Sequence, residues 1–373
     1  MSRGRVAVVG AGIVGTAIAR ALAREGVACT VIDARPPGSG ATAAGMGHLP
    51  VMDDSEAQFA LCRYSQSLWD DLADTLPAAA EFDRCGTLWV AADDEEMAEV
   101  ARKERFYADR GLEARVLDPA ALAREEPNLR RGLAGGLVLP RDAVIYPPSA
   151  ARSFLDDAIR GGAEARIGVA AVAIDGRSVQ LADGSTVEAD AVVNAAGWGA
   201  TRLTPGLEIR PRKGHLVITD RYPGYLNHQV LELGYLKSAH GSNEDSVAFN
   251  VQPRRTGQLL VGSSRQYDVP DPGVDRPILE RMVDRAIEYM PGLARLSAIR
   301  VWTGHRAATP DSLPIIGPDP DRPGLYLAAG HEGLGITTSL GTAELIVDAI
   351  LGRPSAIPAA PYLPARLATT HHV

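Results

Sequence analysis

Arg5-Val6-Ala7-Val8-Val9-Gly10-Ala11-Gly12-Ile13-Val14-Gly15, continued by an apolar stretch to Glu25 and by Val27 to Ile32 with Asp33 behind it, decides the fold. The opening run is apolar without a break, as a parallel strand covered on both faces must be. Gly10 to Gly15 forms a glycine turn, and Ile13 to Glu25 reads as a helix. Gly26 ends that helix at a plausible left-handed C-cap. Val27 to Ile32 is a second buried strand. Strand, helix and strand fit within about thirty residues, the size of one βαβ unit.

The glycine spacing carries chemistry. Gly10 permits the tight turn, Gly12 lets the backbone approach a pyrophosphate, and Gly15 lets the helix pack close to the strand. The helix N-terminus offers unpaired N–H groups and a positive dipole end to phosphates. Asp33 accepts hydrogen bonds from a ribose diol, where a 2′-phosphate would be repelled. A dinucleotide is expected, and the motif alone suits FAD and NAD equally.

Three later segments separate the two. Gly40-Ala41-Thr42-Ala43-Ala44-Gly45-Met46-Gly47-His48 follows Asp33 closely. A nicotinamide enzyme would begin a helix there, whereas a small-residue loop lets backbone amides crowd a pyrophosphate and one flavin edge. Asp190 to Gly197 reads as a buried strand ending in the turn Asn194-Ala195-Ala196-Gly197, which can close over the same cofactor. Leu325 to Thr337 reads as a strand, a Gly-rich loop and a helix start. A second helix N-terminus there would stabilise the negative charge of a reduced flavin.

Composition sets the outer limits. The chain has 373 residues, 46% of them hydrophobic and 23% charged, the balance of a globular enzyme with room for two domains. A net charge of -8 argues against a nucleic-acid partner, because no basic domain supplies counterion release. Cys29, Cys62 and Cys85 lack metal-ligand spacing, which fits a reducing cytoplasm without structural metal or disulfides. The apolar run between Arg5 and Arg20 is shorter than the ~20 residues of a membrane span, and glycines interrupt it. The expected location is cytoplasmic, at most peripheral to the inner membrane face.

Further along, Gln58 to Leu76, Asp94 to Arg110, Ser149 to Arg160, Pro277 to Met290 and Gly341 to Leu351 read as helices. A single strand is expected near Ile167 to Ile174, then a hairpin with Asp183-Gly184 at its tip. Val247 to Val251 and Gln258 to Gly262 look like paired strands, and residues from 354 on form a proline-rich tail.

Taken together, the glycine motif, the Ala44-Gly45-Met46 loop, the Asn194-Ala195-Ala196-Gly197 turn and the segments Trp302 to Gly317 and Gly330 to Thr337 resemble the D-amino acid oxidase superfamily of FAD enzymes. The resemblance lies in the branch with glycine oxidase, D-amino acid dehydrogenase and D-hydroxyproline dehydrogenase, and covers nearly the whole chain. It implies that Ile13, Val14, Asp33 and Ala34 meet the pyrophosphate and adenosine ribose. Gly40, Ala41 and Thr42 with Ala44, Gly45, Met46 and Gly47 would line phosphate and flavin. Ala171 or Val172 would bond adenine through its backbone, while Ala196 and Gly197 close the turn. Gly330, His331, Glu332, Gly333, Leu334, Gly335, Ile336 and Thr337 would cradle the pyrimidine end of the flavin.

The resemblance also puts the substrate-carboxylate arginine at Arg306, and a planar guanidinium suits that bidentate grip. His48 reads either as a side chain facing the flavin or as a satisfied loop residue. Tyr235, beside Lys237 and His240, reads either as a hydroxyl for the carboxylate or as a core tyrosine. Covalent flavin attachment in sarcosine oxidases uses a C-terminal cysteine, and none follows Cys85 here, so non-covalent FAD is expected. Where glycine oxidase carries a further arginine in its last loop, this chain has Gly333.

The expected fold is α/β. A Rossmann-like FAD domain would be assembled from residues 1–82, 141–212 and 300–353. An interleaved α+β substrate domain on a mixed or antiparallel sheet would come from 83–140 and 213–299, with helices on the outer side of its sheet. The expected reaction oxidises the Cα–N bond of a small D-amino or imino acid, D-proline or D-hydroxyproline in type, by hydride transfer to flavin N5, giving an imine. A glycine or sarcosine oxidase using O2, and the FAD subunit of a hetero-oligomeric opine or cyanide-forming dehydrogenase, stand as alternatives. Partners would be the substrate, an electron acceptor (quinone, protein or O2) and, in the last reading, another subunit.

Overall fold

The strand Val6–Val9 lies inside a six-stranded sheet in the order Ile315–Pro318, Leu325–Ala329, Ala191–Asn194, Val6–Val9, Cys29–Asp33, Glu164–Ile167. This computed structural model describes residues 4–234 and 245–368. Val6 is parallel to both neighbours, with Val6 opposite Ala191 on one side and Cys29 on the other. Only the edge strand Ile315–Pro318 runs antiparallel to its neighbour. Both faces are buried by different partners, which explains the unbroken apolar run. Val6 and Val8 pack into the cluster of Ile18, Leu22 and Phe154 beneath the helices. Ala7 and Val9 pack against Val179, Leu181 and Val187 of a three-stranded antiparallel sheet.

Helix Ile13–Arg24 packs between helices Pro147–Arg160 and Ser339–Leu351. Segments from the start, middle and end of the chain therefore build one layer.

The second sheet has eight strands: Ala298–Ala308, Arg210–Arg221, Gln258–Tyr267, Ser246–Pro253, Gln229–Glu232, Thr87–Ala91, Gly135–Leu139 and Arg115–Leu117. It is mixed, because Gln229–Glu232 runs parallel to Thr87–Ala91 while the other neighbours are antiparallel. Its outer face carries Val217, Phe249, Val251 and Val261, covered by Met282, Ala286 and Tyr289 of helix Arg276–Tyr289. Asp275 caps that helix by accepting from the Ile278 N–H.

Four expectations change. The single strand near Ile167 to Ile174 is two strands in different sheets, Glu164–Ile167 and Ala171–Ile174, broken by Gly168 at φ +93. The Gly40 to His48 loop contains one helical turn, Ala41–Ala44, and a short strand, His48–Leu49. Not every helix lies outside the second sheet: Val100 and Tyr107 of helix Asp94–Ala108 pack on the inner face against Trp89 and Leu137. A large apolar Trp89 pointing inward needs that cover. Finally, strand Ala298–Ala308 belongs to the eight-stranded sheet along its length, pairing with Arg210–Arg221.

Candidate active site

The glycine turn is packed to its limit. A Cβ on Gly15 would fall 1.9 Å from the Gly10 carbonyl oxygen, and one on Gly10 would fall 2.4 Å from that of Ala195. The turn thus needs hydrogen in both places, and it brings Asn194-Ala195-Ala196 against Gly10. Helix Ile13–Arg24 begins at Gly12 without a side-chain cap of its own. Thr42 supplies one hydroxyl from outside, accepting the Ile13 N–H at 3.0 Å. The N–H groups of Val14 and Gly15 find no acceptor among the described residues. Asp33 accepts from Ala11 N at 2.7 Å and Arg35 N at 2.8 Å, and each oxygen keeps a lone pair for a ribose hydroxyl. Gly168 N donates to the Asp33 carbonyl at 2.8 Å, which sets the strand of Ala171 and the exposed Val172 just beyond this end of the sheet. Ala34 is exposed beside it.

From there, residues 44 to 48 run along the inner face of the eight-stranded sheet. The Ala44 carbonyl accepts from Trp302 Nε1 at 3.3 Å, and a Cβ on Gly304 would lie 2.3 Å from Ala44 Cβ. Met46 Sδ lies 3.4 Å from the Cβ position of Gly262, and its carbonyl accepts from Gln252 Nε2 at 2.8 Å. His48 Nε2 meets Thr87 Oγ1 at 2.6 Å. One short segment therefore binds strand after strand of the second sheet to the first.

The loop after Leu325–Ala329 closes over the same place. A Cβ on Gly45 would lie 2.8 Å from Ile336 Cδ1, and Thr337 Oγ1 donates to the His48 carbonyl at 3.1 Å. Gly335 lies 4.0 Å from Val14 Cγ2, measured from its Cβ position. Gly330 adopts φ +75 and the non-glycine Glu332 φ +53. Glu332 N donates to the Ala307 carbonyl at 2.9 Å, and its carboxylate pairs with the buried Arg212. Leu334 accepts from Thr338 N at 2.9 Å through its carbonyl, starting the turn that leads into helix Ser339–Leu351. His331 is buried with Nε2 on Thr342 Oγ1 at 3.0 Å, and desolvation pushes its pKa down to about 4. Burial pushes His48 down to about 3. Both imidazoles are neutral at physiological pH.

Arg306 is anchored between these segments. Its Nη1 donates to the Ser264 carbonyl at 3.0 Å. The guanidinium lies over Gly214, and its Cδ and Nε lie 3.7 and 3.6 Å from the Cβ position of Gly333. Behind it, on the outer face, His215 Nδ1 bonds Ser264 Oγ at 2.9 Å and its Nε2 accepts from Asp275 N.

The residues present fit FAD. They provide a backbone cradle that Cβ atoms would fill, free N–H donors at a helix start, and a ribose acceptor. On the inner face, Gln229 Oε1 and Gln252 Oε1 are buried without a partner among the described residues, as expected of groups facing a polar ligand. An open cleft of about 260 Å³ lined by Arg20, Arg24, Asp157 and Arg160 lies at the opposite end of helix Ile13–Arg24. It shares no residue with these segments.

Tyr235, with Lys237 and His240, lies outside the described residues. The sequence reading missed Gly214, Gly262 and Gly304, whose signal was only glycine within strand patterning, and it missed Gln252 and Thr87 altogether.

Fold and site together define a dinucleotide-binding flavoenzyme. Residues 5–349 match the DAO family, FAD dependent oxidoreductase, and the chain belongs to that family. It is 29% identical over 388 residues to a glycine oxidase of Pseudomonas aeruginosa, covering 97% of this chain and 98% of that one. It is 27% identical to the hydrogen cyanide synthase subunit HcnC of the same organism, covering 97% and 95%. The crystal structure of glycine oxidase from Geobacillus kaustophilus superposes with a TM-score of 0.87 at 26% identity, covering 97% of this chain and 98% of that one. The chain is an FAD-dependent amino acid oxidoreductase acting on CH–NH donors. No helix among the described residues is long and apolar enough to cross a membrane.

Proposed function

We propose that the chain oxidises the Cα–N bond of a small D-amino or imino acid of the D-proline type, with Arg306 holding its carboxylate. The observation that carries this reading is the setting of Arg306. Gly214 and Gly333 flank the Arg306 side chain, and because neither carries a side chain the guanidinium lies flat across the inner face between them. Ser264 fixes one nitrogen of the planar guanidinium, a group whose shape matches a carboxylate held in a bidentate grip. Bound FAD supplies the hydride acceptor.

The chain's own residues position and exclude. Arg306 fixes the carboxylate and so the α-carbon; positioning of this kind removes much of the entropic barrier. Residues 331 to 337 and 44 to 48 close the space from two sides, with His48 neutral and held on Thr87. FAD is held without a covalent link, since the chain has no cysteine after Cys85.

A second reading, glycine oxidation, is favoured by the glycine oxidases among the relatives. Anaerobic mixing of the yellow protein with glycine, sarcosine, and D- and L-proline derivatives decides between them. Bleaching by D-proline-type acids supports the first reading, and bleaching by glycine alone overturns it. Readmitted air then separates oxidase from dehydrogenase. Failure to bleach with any of them favours dependence on a partner chain.

A further inference from the structure

We propose that Glu332 is a specificity-determining residue of the site: by neutralising Arg212 it restricts the enzyme to substrates with a single carboxylate and no acid on the side chain. The proposal deepens the amine-oxidation reading above and rests on its placing of the substrate carboxylate on Arg306. Two guanidiniums stand side by side on the inner face, and an acid of the chain itself occupies one of them.

The register places Arg212 there. In the antiparallel pairing of Ala298–Ala308 with Arg210–Arg221, Arg212 lies directly opposite Arg306, so both side chains leave the same face of the sheet. Tyr267, opposite Arg212 on the following strand, faces the same way, and the Arg212 guanidinium lies 5.7 Å from the centre of its ring. Lys213, next in the chain, points to the opposite face and pairs with Asp271 at 3.8 Å. Glu332 comes from the loop that closes over the inner face. Its N–H donates to the Ala307 carbonyl at 2.9 Å, and the two residues form an isolated antiparallel bridge, which ties the loop to the strand of Arg306. The Cβ position of its neighbour Gly333 lies 3.6 Å from Arg306 Nε. From this place the Glu332 carboxylate reaches Arg212 on the adjoining strand. The two paired side chains are only 11% and 10% exposed.

Glycine would be the unstrained residue at this position. Glu332 adopts φ +53, a conformation that a side chain makes costly. The backbone bridge to Ala307 needs no side chain, so what the glutamate adds is its charge. Strain of this kind is kept where a side chain serves a site. A buried guanidinium without a counter-charge draws in any carboxylate within reach. Cross-strand partners lie about 5 Å apart, so beside Arg306 that carboxylate would be the second one of a diacid. Glu332 fills its place from within the chain. A diacid meets the glutamate oxygens and is repelled, whereas a cyclic imino acid meets a neutral pair.

Glu332 acts through Arg212 and is a positioning residue. Three variants separate its charge from its shape. Glu332→Gln keeps size and hydrogen-bonding capacity but removes the charge, which hands Arg212 to the ligand. Arg212→Met leaves the Glu332 carboxylate beside Arg306, where it competes with every anionic ligand. Combining the two substitutions removes both charges and restores the balance. A merely structural tie between loop and sheet would be weakened in all three and would not tell one carboxylate from two.

The test titrates the yellow holoenzyme calorimetrically with butyrate and with succinate, the same carbon chain carrying one or two carboxylates. No turnover is needed. Glu332→Gln should shift the preference towards succinate by about tenfold or more, the size of one charge-assisted hydrogen bond. Arg212→Met should weaken both ligands about tenfold. The double variant should return the succinate-to-butyrate ratio to within about threefold of wild type. A ratio unmoved by Glu332→Gln, or moved equally in the double variant, overturns the proposal. If Glu332→Gln loses its flavin, Arg212→Met decides alone, and unchanged butyrate binding there overturns it. An Arg306→Ala holoenzyme that binds butyrate as the wild type does puts the carboxylate elsewhere, and the functional reading falls together with the proposal. Weakened binding in Arg306→Ala beside an unmoved Glu332→Gln ratio strikes the proposal alone.

Discussion

The Arg306 guanidinium lies over Gly214: a Cβ there would meet Nη1 at 2.5 Å and Cζ at 3.0 Å. The two residues are not cross-strand partners, since Arg306 pairs with Arg212 and Gly214 with Gly304. The side chain reaches diagonally back across the bare glycine. Gly214→Ala should therefore push the guanidinium off its seat and raise KM for the amino acid about tenfold, roughly 1.4 kcal/mol of binding. Arg306→Ala should raise it by about 100-fold, the size of a charge-assisted pair at roughly 3 kcal/mol. Steady-state kinetics on the substrate found by bleaching checks both. An unchanged KM in the alanine variant would mean that the carboxylate binds elsewhere.

The glycine motif should show a graded response. Gly15→Val places atoms on the Gly10 carbonyl, which is backbone and cannot step aside; FAD should be lost on purification. Gly12→Ala meets within the protein only Thr42 Oγ1 at 3.2 Å, with φ -70, so the turn should keep its fold and flavin should be weakened only by the methyl that faces the pyrophosphate, less than in Gly15→Val. The ratio of flavin to protein absorbance reads this directly, and equal retention would refute the close-packing account.

Acid precipitation should leave the flavin in the supernatant. Yellow colour that stays with the denatured pellet would show a covalent link that the chain's cysteines do not suggest.

His331 makes stability fall on the acid side. Its folded pKa, about 4, lies below the ordinary histidine value of 6.5. Between these values the unfolded chain binds a proton that the native state refuses, so stability is lost as pH falls from 6.5 towards 4. The shift amounts to about 3 kcal/mol at 1.36 kcal/mol per unit. His331→Gln should lack this loss, so chemical denaturation of the flavin-free protein at pH 7 and at pH 4 should show the two curves converging in acid. Parallel curves would mean that His331 becomes charged inside the fold.

Much of the first sheet was legible because its signals are local. Gly10, Gly12, Gly15 and Asp33 lie within one βαβ unit, and each answers a steric or hydrogen-bonding need of its immediate neighbours. Leu325–Ala329 and the hairpin tip at Asp183-Gly184 were legible for the same reason. Their patterns report backbone conformation, which nearby residues fix.

The second sheet was harder to read. Trp89, Gln252 and Gly304 face one side of it, and a shift of one residue in any strand would have turned each to the other. Nothing in the neighbourhood of Gly304 says that Ala44 will pack on it, because that contact joins segments distant in the chain. The same holds for Arg306 over Gly214, and for His48 meeting Thr87. The sequence by itself determined the glycine turn, the acid at Asp33 behind it and the class of cofactor, since these depend on short-range geometry. Only the tertiary structure decided which strand each polar side chain meets, because register and crossing are set when two sheets close on one another.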